Sequence, residues 1–488
     1  MTETPGARKR AVAIGRRRLL RGGAVAVVGA VLVACSGNPP TTPSPPRLPS
    51  ATPNPPASPI TLPTPTLPPS PEPTATAVPP TPTPVPRLVT IWTADSSSIL
   101  VKAIESVGRT LSGQTPPLQV AVVGGQADYG KIVQSLALTI GPDLIDPGAL
   151  TPYATRGVLR ALDGYLASGP VQPTDFPQVM WDNGQWQGKT YGVPALDNGP
   201  ELGLLVNRAL VGGNVTTPDS WDRLFSFGLA ATKKGGQGID VLGWDPLNGV
   251  GGLLQTVESL TGQPWNDPKT KKVILNNPVY QSYLDHLRAY YGALGIESLD
   301  SFRKKSATAA IPADSGLARG SEAAVIGGYR LAAALGDNAS QSFVANWIPA
   351  PAGSKVQRLG GHFLAIPTVA PRPDDSWAVL SFLAGDQANN LLFAEAGCCA
   401  WSNTFLTSQG WQKRPAVGFY ANSMTQYTSI EGQPVSPIAG YAQGIWQAAV
   451  GNVIQNGTSP ADALKAAQSA VDAEIERLAG AAKAGSGG

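Results

Sequence analysis

The residues of this chain best suited to catalysis are few, and their spacing argues against most reactions. There are two histidines, His286 and His362, and neither lies in an H-E-x-x-H pattern, which would place two imidazoles on one helix face for a metal. No G-x-S-x-G elbow supplies a strained serine nucleophile. The run Gly249-Val250-Gly251-Gly252 lacks the third glycine position of a dinucleotide fingerprint. The segment Gly184-Gln185-Trp186-Gln187-Gly188-Lys189-Thr190 looks at first like a phosphate-cradling loop, which needs four residues between its first glycine and the Gly-Lys-Thr. Three are present, two of them bulky, and Pro194 biases the residue before it away from helix, so no nucleotide site is expected. Paired carboxylates for glycoside hydrolysis meet in space and not in sequence, so an enzyme of that class stays an alternative.

What the chain has in quantity is tryptophan, 11 in all, several in Gly-, Asn- or Pro-rich loops: Trp186, Trp244, Trp265, Trp401 and Trp411. Flat aromatic faces beside amides and carboxylates suit a ligand with apolar C–H faces and hydroxyl rims, which describes a sugar. Trp244 with Asp245 and Asn248 is one such cluster.

These side chains need elements to position them. Leu88–Trp92 and Leu118–Val123 are apolar and β-rich, and Asp143–Ile145 reads as a short strand. Helical spacing fills Ser98–Leu111 and Lys131–Ile140 between them. This β-α-β-α-β opening predicts a parallel sheet with its ligand face at the carboxyl ends of the strands, where Asp95, Gln126 and Asp146 fall. At the far end Ser459-Pro460 is a cap with a first-turn proline, and Leu464, Ala467, Val471, Ile475 and Leu478 mark the apolar face of a last helix.

The beginning of the chain addresses location. Seven basic residues precede the uncharged run Gly22–Ala34, which is too short to span a bilayer and fits the apolar region of a secretory signal. Leu32-Val33-Ala34-Cys35 resembles a bacterial lipobox, and Arg16-Arg17-Arg18-Leu19-Leu20 resembles a twin-arginine export signal. Residues 1–34 are therefore expected to be a cleaved signal peptide and Cys35 the lipidated first residue. Residues 35–86 hold nearly half of the 47 prolines among Thr and Ser, a composition that cannot bury a core and favours an extended, disordered tether on the order of 100 Å long. The leader carries seven basic groups and one acid, so of the formal +3 of the whole chain the remainder has −3, and nothing recommends a nucleic-acid partner.

The blocks GKTYGVPALDN…LLVNRAL, TPDSWDRLF, GLARGSEAAVIGGYR, WIPAPAG…LGGHFLAIP, SWAVLSFLAGDQANNLLFAEAG and SPADALKAAQSAV, in that order, resemble the extracellular solute-binding proteins of ABC importers, in their sugar-binding group. The resemblance spans Leu88 to Leu478. It implies an α/β, two-lobed periplasmic-binding-protein-like fold (Venus flytrap), each lobe a sheet flanked by helices and joined to the other by crossing segments. Lobe one is expected at 87–194 and 328–368, lobe two at 195–327 and 369–478, and a disordered tail at 479–488.

The implied function is a receptor, not an enzyme, with neither cofactor nor metal. It would work as a monomer outside the cytoplasm, anchored through Cys35, and hand a sugar to a permease whose ATP is bound by a separate subunit. Matched onto this sequence, the resemblance puts Asp197 and Asn198 at the first crossing, Tyr329 at the second, His362 near the third, and Trp446 where the family places an aromatic platform. With Asp95, Gln126, Asp146, Trp244 and Trp401 these form the expected ligand-binding set. The chain departs from the family at Gly397-Cys398-Cys399-Ala400-Trp401. In an oxidising compartment these thiols have only each other, which suggests a vicinal disulfide. Against it, Cα atoms across a trans peptide stand about 3.8 Å apart, below the usual disulfide range that starts near 4.4 Å. A polyamine, glycerol phosphodiester or metal-complex receptor is the alternative within the same class.

Overall fold

The computed structural model describes residues 85–113, 117–125, 132, 134, 141–212, 218–236, 238–267, 272–305, 315–336 and 342–485. The leader, Cys35, nearly all of the tether, Gln126 and most of the expected helix 131–140 lie outside the described residues.

The chain opens as its apolar alternation requires. Strand β1 (Arg87–Thr93) pairs in parallel with β2 (Leu118–Gly124) and with β3 (Leu144–Asp146), in the order β2-β1-β3. Helix α1 (Ser98–Gly108) lays Leu100, Ala103, Ile104 and Val107 on this sheet. Short helix α2 (Gln178–Asp182) then buries Met180 and Trp181 in the same core. The Gly-Lys-Thr segment folds as a two-stranded hairpin, β4 (Gln185–Trp186) with β5 (Lys189–Thr190), turning through Gln187 and Gly188 at φ 50° and 75°. It precedes no helix, which agrees with the rejection of a phosphate loop.

From there β6 (Val193–Pro200) leaves the first core and continues into β7 (Leu204–Asn207) of a second sheet. That sheet has the order β11-β7-β10-β9-β8, with β8 (Lys233–Gly235), β9 (Gly238–Trp244), β10 (Glu322–Ile326) and β11 (Phe343–Asn346). Helices α3 (Trp221–Ala231), α4 (Leu254–Thr261) and α5 (Pro278–Leu294) supply side chains to its core, and so do α9 (Ala439–Gln455) and α10 (Pro460–Gly485) nearer the C-terminus. Between these groups lie α6 (Tyr329–Leu335), β12 (Val356–Leu364), α7 (Pro373–Ala384), α8 (Asp386–Ala396) and β13 (Ser429–Glu431).

Two separate hydrophobic cores follow, so the molecule has two lobes. The partition differs from the expected one in two places. β11 completes the second sheet, although 328–368 was assigned wholly to lobe one. Conversely, α7 and α8 pack on β1, β2, β6 and α1 of the first lobe, although 369–478 was assigned wholly to lobe two. The reason is local. β12 re-enters the first core at Leu359, and Ala365 pairs with Ile145 of β3, so the helices that follow by short connections cover that sheet. The expected tail is also corrected, since α10 runs on to Gly485.

The lobes are tied by β6, every residue of which is buried and which pairs antiparallel with β12; β13 pairs in parallel with the other edge of β12, giving a three-stranded sheet, β13-β12-β6. The register shifts between Gly361 and Phe363, where Gly361 adopts φ 130°. A Cβ at Gly361 would collide with the backbone carbonyl of Asp197 on β6. The left-handed backbone and this contact together require glycine. Gly361→Ala should therefore cost about 3 kcal/mol, read from the urea midpoint at constant slope; a loss below about 1 kcal/mol would show that the bulge is not held as described.

Candidate functional site

The carboxyl ends of β1 and β3 meet the β6–β12 pair, and there the sequence concentrates ionisable side chains. Asp95 follows β1 and caps its own turn by accepting from Ser97 N–H at 2.6 Å. Asp146 ends β3, fully buried, and accepts from Thr93 Oγ1 at 2.5 Å. Asp197 on β6 accepts from the Tyr329 hydroxyl at 2.5 Å, and the same hydroxyl accepts from Cys399 N–H at 3.2 Å. Arg330, the second residue of α6, bridges Asp95 at 2.5 Å and Asp197 at 2.9 Å through one nitrogen. His362 contacts Asp146 through Nδ1 at 2.5 Å. Asn198 holds the backbone of β12 by donating to His362 O, and holds the cysteine loop through both of its own backbone groups.

Electrostatics follow from this crowding. Burial works against the charged imidazole of His362, but Asp146, with help from Asp197 and Asp95, outweighs it and raises the pKa to about 9. His362 is therefore a cation at neutral pH. Burial likewise opposes charge on Arg330, and Asp197 and Asp95 more than compensate, so it stays ionised. Oxygens of Asp95 and Asp197 and a ring nitrogen of His362 lie within 4.8 Å of one another, a spacing compatible with a metal. The set does not fit one, because Arg330 already occupies both carboxylates and the imidazole is protonated.

A second feature adjoins this network on β12. A cavity of about 420 Å³ opens between the lobes, walled by Asp182 and Asn183 at the end of α2 of the first, by Glu258 and Trp265 of the second, and by Arg358 and Glu431 on the joining strands. Its volume falls within the usual range for small-molecule sites, about 300–1,000 Å³. Arg358 is fully buried; its Nε donates to Glu201 at 2.9 Å and its Nη2 to Thr256 Oγ1 at 3.2 Å, while Nη1 has no partner. Trp265 is 1 % exposed and its Nε1 is also without a partner. Buried donors in this condition are uncommon and costly. Burial raises Glu258 to about 7, helped by repulsion from Glu431 and opposed by Arg358. Burial also raises Glu431, which accepts from Ser259 Oγ at 2.8 Å.

The structure thus brings Asp95, Asp146, Asp197, Asn198, Tyr329 and His362 together, as residues after strands or at crossings. The aromatic expectations are corrected. Trp244, Trp401 and Trp446 are each at most 1 % exposed. Trp244 packs edge-on against Phe225, Trp401 against Tyr329 and Phe405, and Trp446 on Tyr280 and Tyr283. None offers a free face, because Trp244 at the end of β9, Trp446 within α9 and Trp401 after α8 each turn the ring into a core. Asp245 binds Arg303 and Tyr291 and Asn248 binds Glu322, so these groups are bonded to one another in the second lobe, where they line a separate cavity of about 320 Å³ away from the crossing strands. Cys398 and Cys399 are free thiols and fully buried, so the vicinal disulfide is not formed. Sequence reasoning missed Arg330, Arg358, Glu258 and Glu431. The one available signal was an arginine directly beside Tyr329 at a crossing.

Two cores, a parallel sheet ending in a polar cluster, and paired strands crossing between the lobes make the two-lobed, periplasmic-binding-protein-like fold expected from the sequence. Solved structures of similar fold bear this out. CpMnBP1 with mannobiose bound is 20% identical with TM-score 0.69, covering 78% of this chain and 98% of that one. An ABC substrate-binding protein from Listeria monocytogenes in complex with cycloalternan is 15% identical with TM-score 0.64, covering 80% and 99%. The maltose/maltodextrin-binding domain from Bdellovibrio bacteriovorus bound to maltotriose is 16% identical with TM-score 0.63, covering 80% and 100%. No protein-family model matches the chain, and no curated protein matches it at a significant level.

The protonated His362 generates a pH prediction. Its folded pKa lies above the ordinary 6.5, so its contribution is complete below pH 6.5 and is lost as pH rises through about 9. A rise of that size corresponds to about 3 kcal/mol. Wild-type protein should lose stability between pH 7 and 10 relative to His362→Gln, measured by thermal melting; parallel curves would mean that His362 is neutral when folded.

Proposed function

We propose that this protein is an extracytoplasmic receptor that binds a carbohydrate between its two lobes and delivers it to an ABC importer permease, without chemical change to the ligand. The observation that carries the reading is the cavity between the lobes, where Asp182, Asn183, Glu258 and Glu431 can exchange hydrogen bonds with hydroxyls. The bound sugars named for proteins of similar fold, mannobiose, cycloalternan and maltotriose, support the same ligand class. The polar network of Asp95, Asp146, Asp197, Asn198, Tyr329 and His362 lies at the other end of the β6–β12 pair and ties the crossing strands to the first lobe. Ligand contacts to both lobes supply the differential free energy that holds them closed.

The lipobox-like Cys35 and the proline-rich segment fit a lipid anchor with a long tether, and no helix among the described residues is long and apolar enough to cross a membrane. The protein acts as a monomer, and the permease's own partner subunit binds ATP.

Incubating the full chain with mono- and oligosaccharides tests the reading by thermal shift. A sugar at 100 times its Kd should add about 2.7 kcal/mol of stability and be recovered unchanged by mass spectrometry. A sugar consumed during incubation would point to a glycan-active enzyme, and a shift produced only by a non-sugar would remove carbohydrate as the ligand class.

A further inference from the structure

Of the loop tryptophans singled out in the sequence, Trp244, Trp265 and Trp401 are buried in cores. Trp411 is half-buried and pairs with no other ring among the described residues. It lies in the 3-10 turn Gly410–Lys413 and lines a groove of about 410 Å³ on the first lobe, between the short helix Asn403–Thr407 and the helix Gly418–Gln426. Leu406, Trp411, Met424 and Ile430 give the groove an apolar floor, and all four also pack on the first core, which holds them in place. The rim is polar, with Asn403, Gln409 and Asn422 beside Tyr427, which is 41 % exposed.

The wall of this groove is neutral. The chain carries 36 Lys and Arg and 33 Asp and Glu, yet none of those described lines it. A charged ligand would lose hydration there and meet no opposite charge. The rim offers hydrogen bonds instead. Gln409 Oε1 accepts from Gln412 Nε2 at 2.7 Å and Asn403 Nδ2 donates to the Thr174 carbonyl at 2.9 Å, which orients both amides. The other polar atom of each, the Asn422 amide and the Tyr427 hydroxyl bond to no described residue and stay available to a ligand. Gln409 reaches the rim from a left-handed backbone at φ 57°, a conformation that is costly with a side chain and is concentrated at functional sites. Amides and a hydroxyl around two aromatic rings suit a ligand with apolar C–H faces and hydroxyl edges. A protein partner would need a broader apolar surface, and among the described residues Tyr427 is the one exposed large apolar side chain in the groove.

The groove is separate from the inter-lobe cavity. Ile430 of β13 lines the groove while Glu431 beside it lines the cavity, and successive strand residues point to opposite faces. The two sites therefore stand on opposite sides of β13 and can be filled independently.

We propose that the groove is a second carbohydrate-binding site, in which a neutral glycan lies across Trp411 and Tyr427 with its hydroxyls bonded to Asn403, Gln409 and Asn422. Because it opens on the first lobe alone, it can hold a glycan too long for the lobes to enclose. This inference goes beyond the receptor reading and does not depend on which solute the cavity takes.

Native electrophoresis of the full chain through gels containing a polysaccharide tests it, with glycogen, galactomannan and hydroxyethylcellulose as neutral polymers and pectate as an anionic one. At least one neutral polymer should retard the protein, and pectate should not. Retardation should fall at least about fivefold in Trp411→Ala and in Tyr427→Ala, while Tyr427→Phe, which keeps the ring, should retain most of it. Asp182→Ala alters the inter-lobe cavity and should leave the retardation unchanged. Tyr427 is exposed and makes no hydrogen bond to the described residues through its hydroxyl, so its variants are expected to fold even where Trp411→Ala does not. Lack of retardation by all three neutral polymers, equal retardation by pectate, or undiminished retardation of Tyr427→Ala overturns the proposal. Retardation lost in Asp182→Ala but kept in Tyr427→Ala would place the polymer in the cavity, which also overturns the second site and leaves the carbohydrate reading of the cavity intact.

Discussion

The antiparallel pairing of β6 with β12 is the constraint on which the rest of the molecule depends. β6 is buried along its whole length, and its partner carries both Arg358 and His362. Both strands run between the lobes and are buried along the pairing, so they must satisfy their backbone internally while polar side chains crowd both ends. Gly361 lets the register shift and brings Asp197 against β12. One end of the ladder then holds the Asp95–Arg330–Asp197 and His362–Asp146 ion pairs; the other borders the cavity with Arg358.

This arrangement places charge where cost and use coincide. A buried ion pair is weak evidence for stability, since desolvation offsets much of the attraction, but losing one partner is costly because the other is left uncompensated. The strand-end network is closed in this sense, each cation facing carboxylates. The cavity wall differs in its charge balance: it carries Asp182, Glu258 and Glu431 against Arg358 alone.

Local physics made much of the frame legible in the sequence. β-branched runs ended within one residue of the ends of β1 and β2, Ser459-Pro460 opened the last helix, and bulky residues with a following proline ruled out a phosphate loop at Gly184–Thr190. Residues placed after strands or at crossings, such as Asp95, Asp146, Asp197 and His362, fell together because topology alone brings strand ends to one edge. The tryptophans misled, since composition says that a ring exists and not which face is covered; Trp244, Trp401 and Trp446 all serve packing. Arg358, Glu258 and Glu431 were invisible for the complementary reason. A lone arginine in a strand and a glutamate in a helix read as ordinary surface charge until the fold buries them against one another. The exchange of 369–396 between lobes was also hidden, because it follows from the pairing of Ala365 with Ile145 and not from any local signal.

The central claim is that one ligand engages both lobes at the β12 cavity. Amide hydrogen exchange, with and without a bound oligosaccharide, tests this most directly. Protection should rise together in 178–183 of the first lobe, 254–265 of the second, and 356–362 with 429–433 of the joining strands. Protection confined to one lobe, or falling away from these segments, would contradict the account.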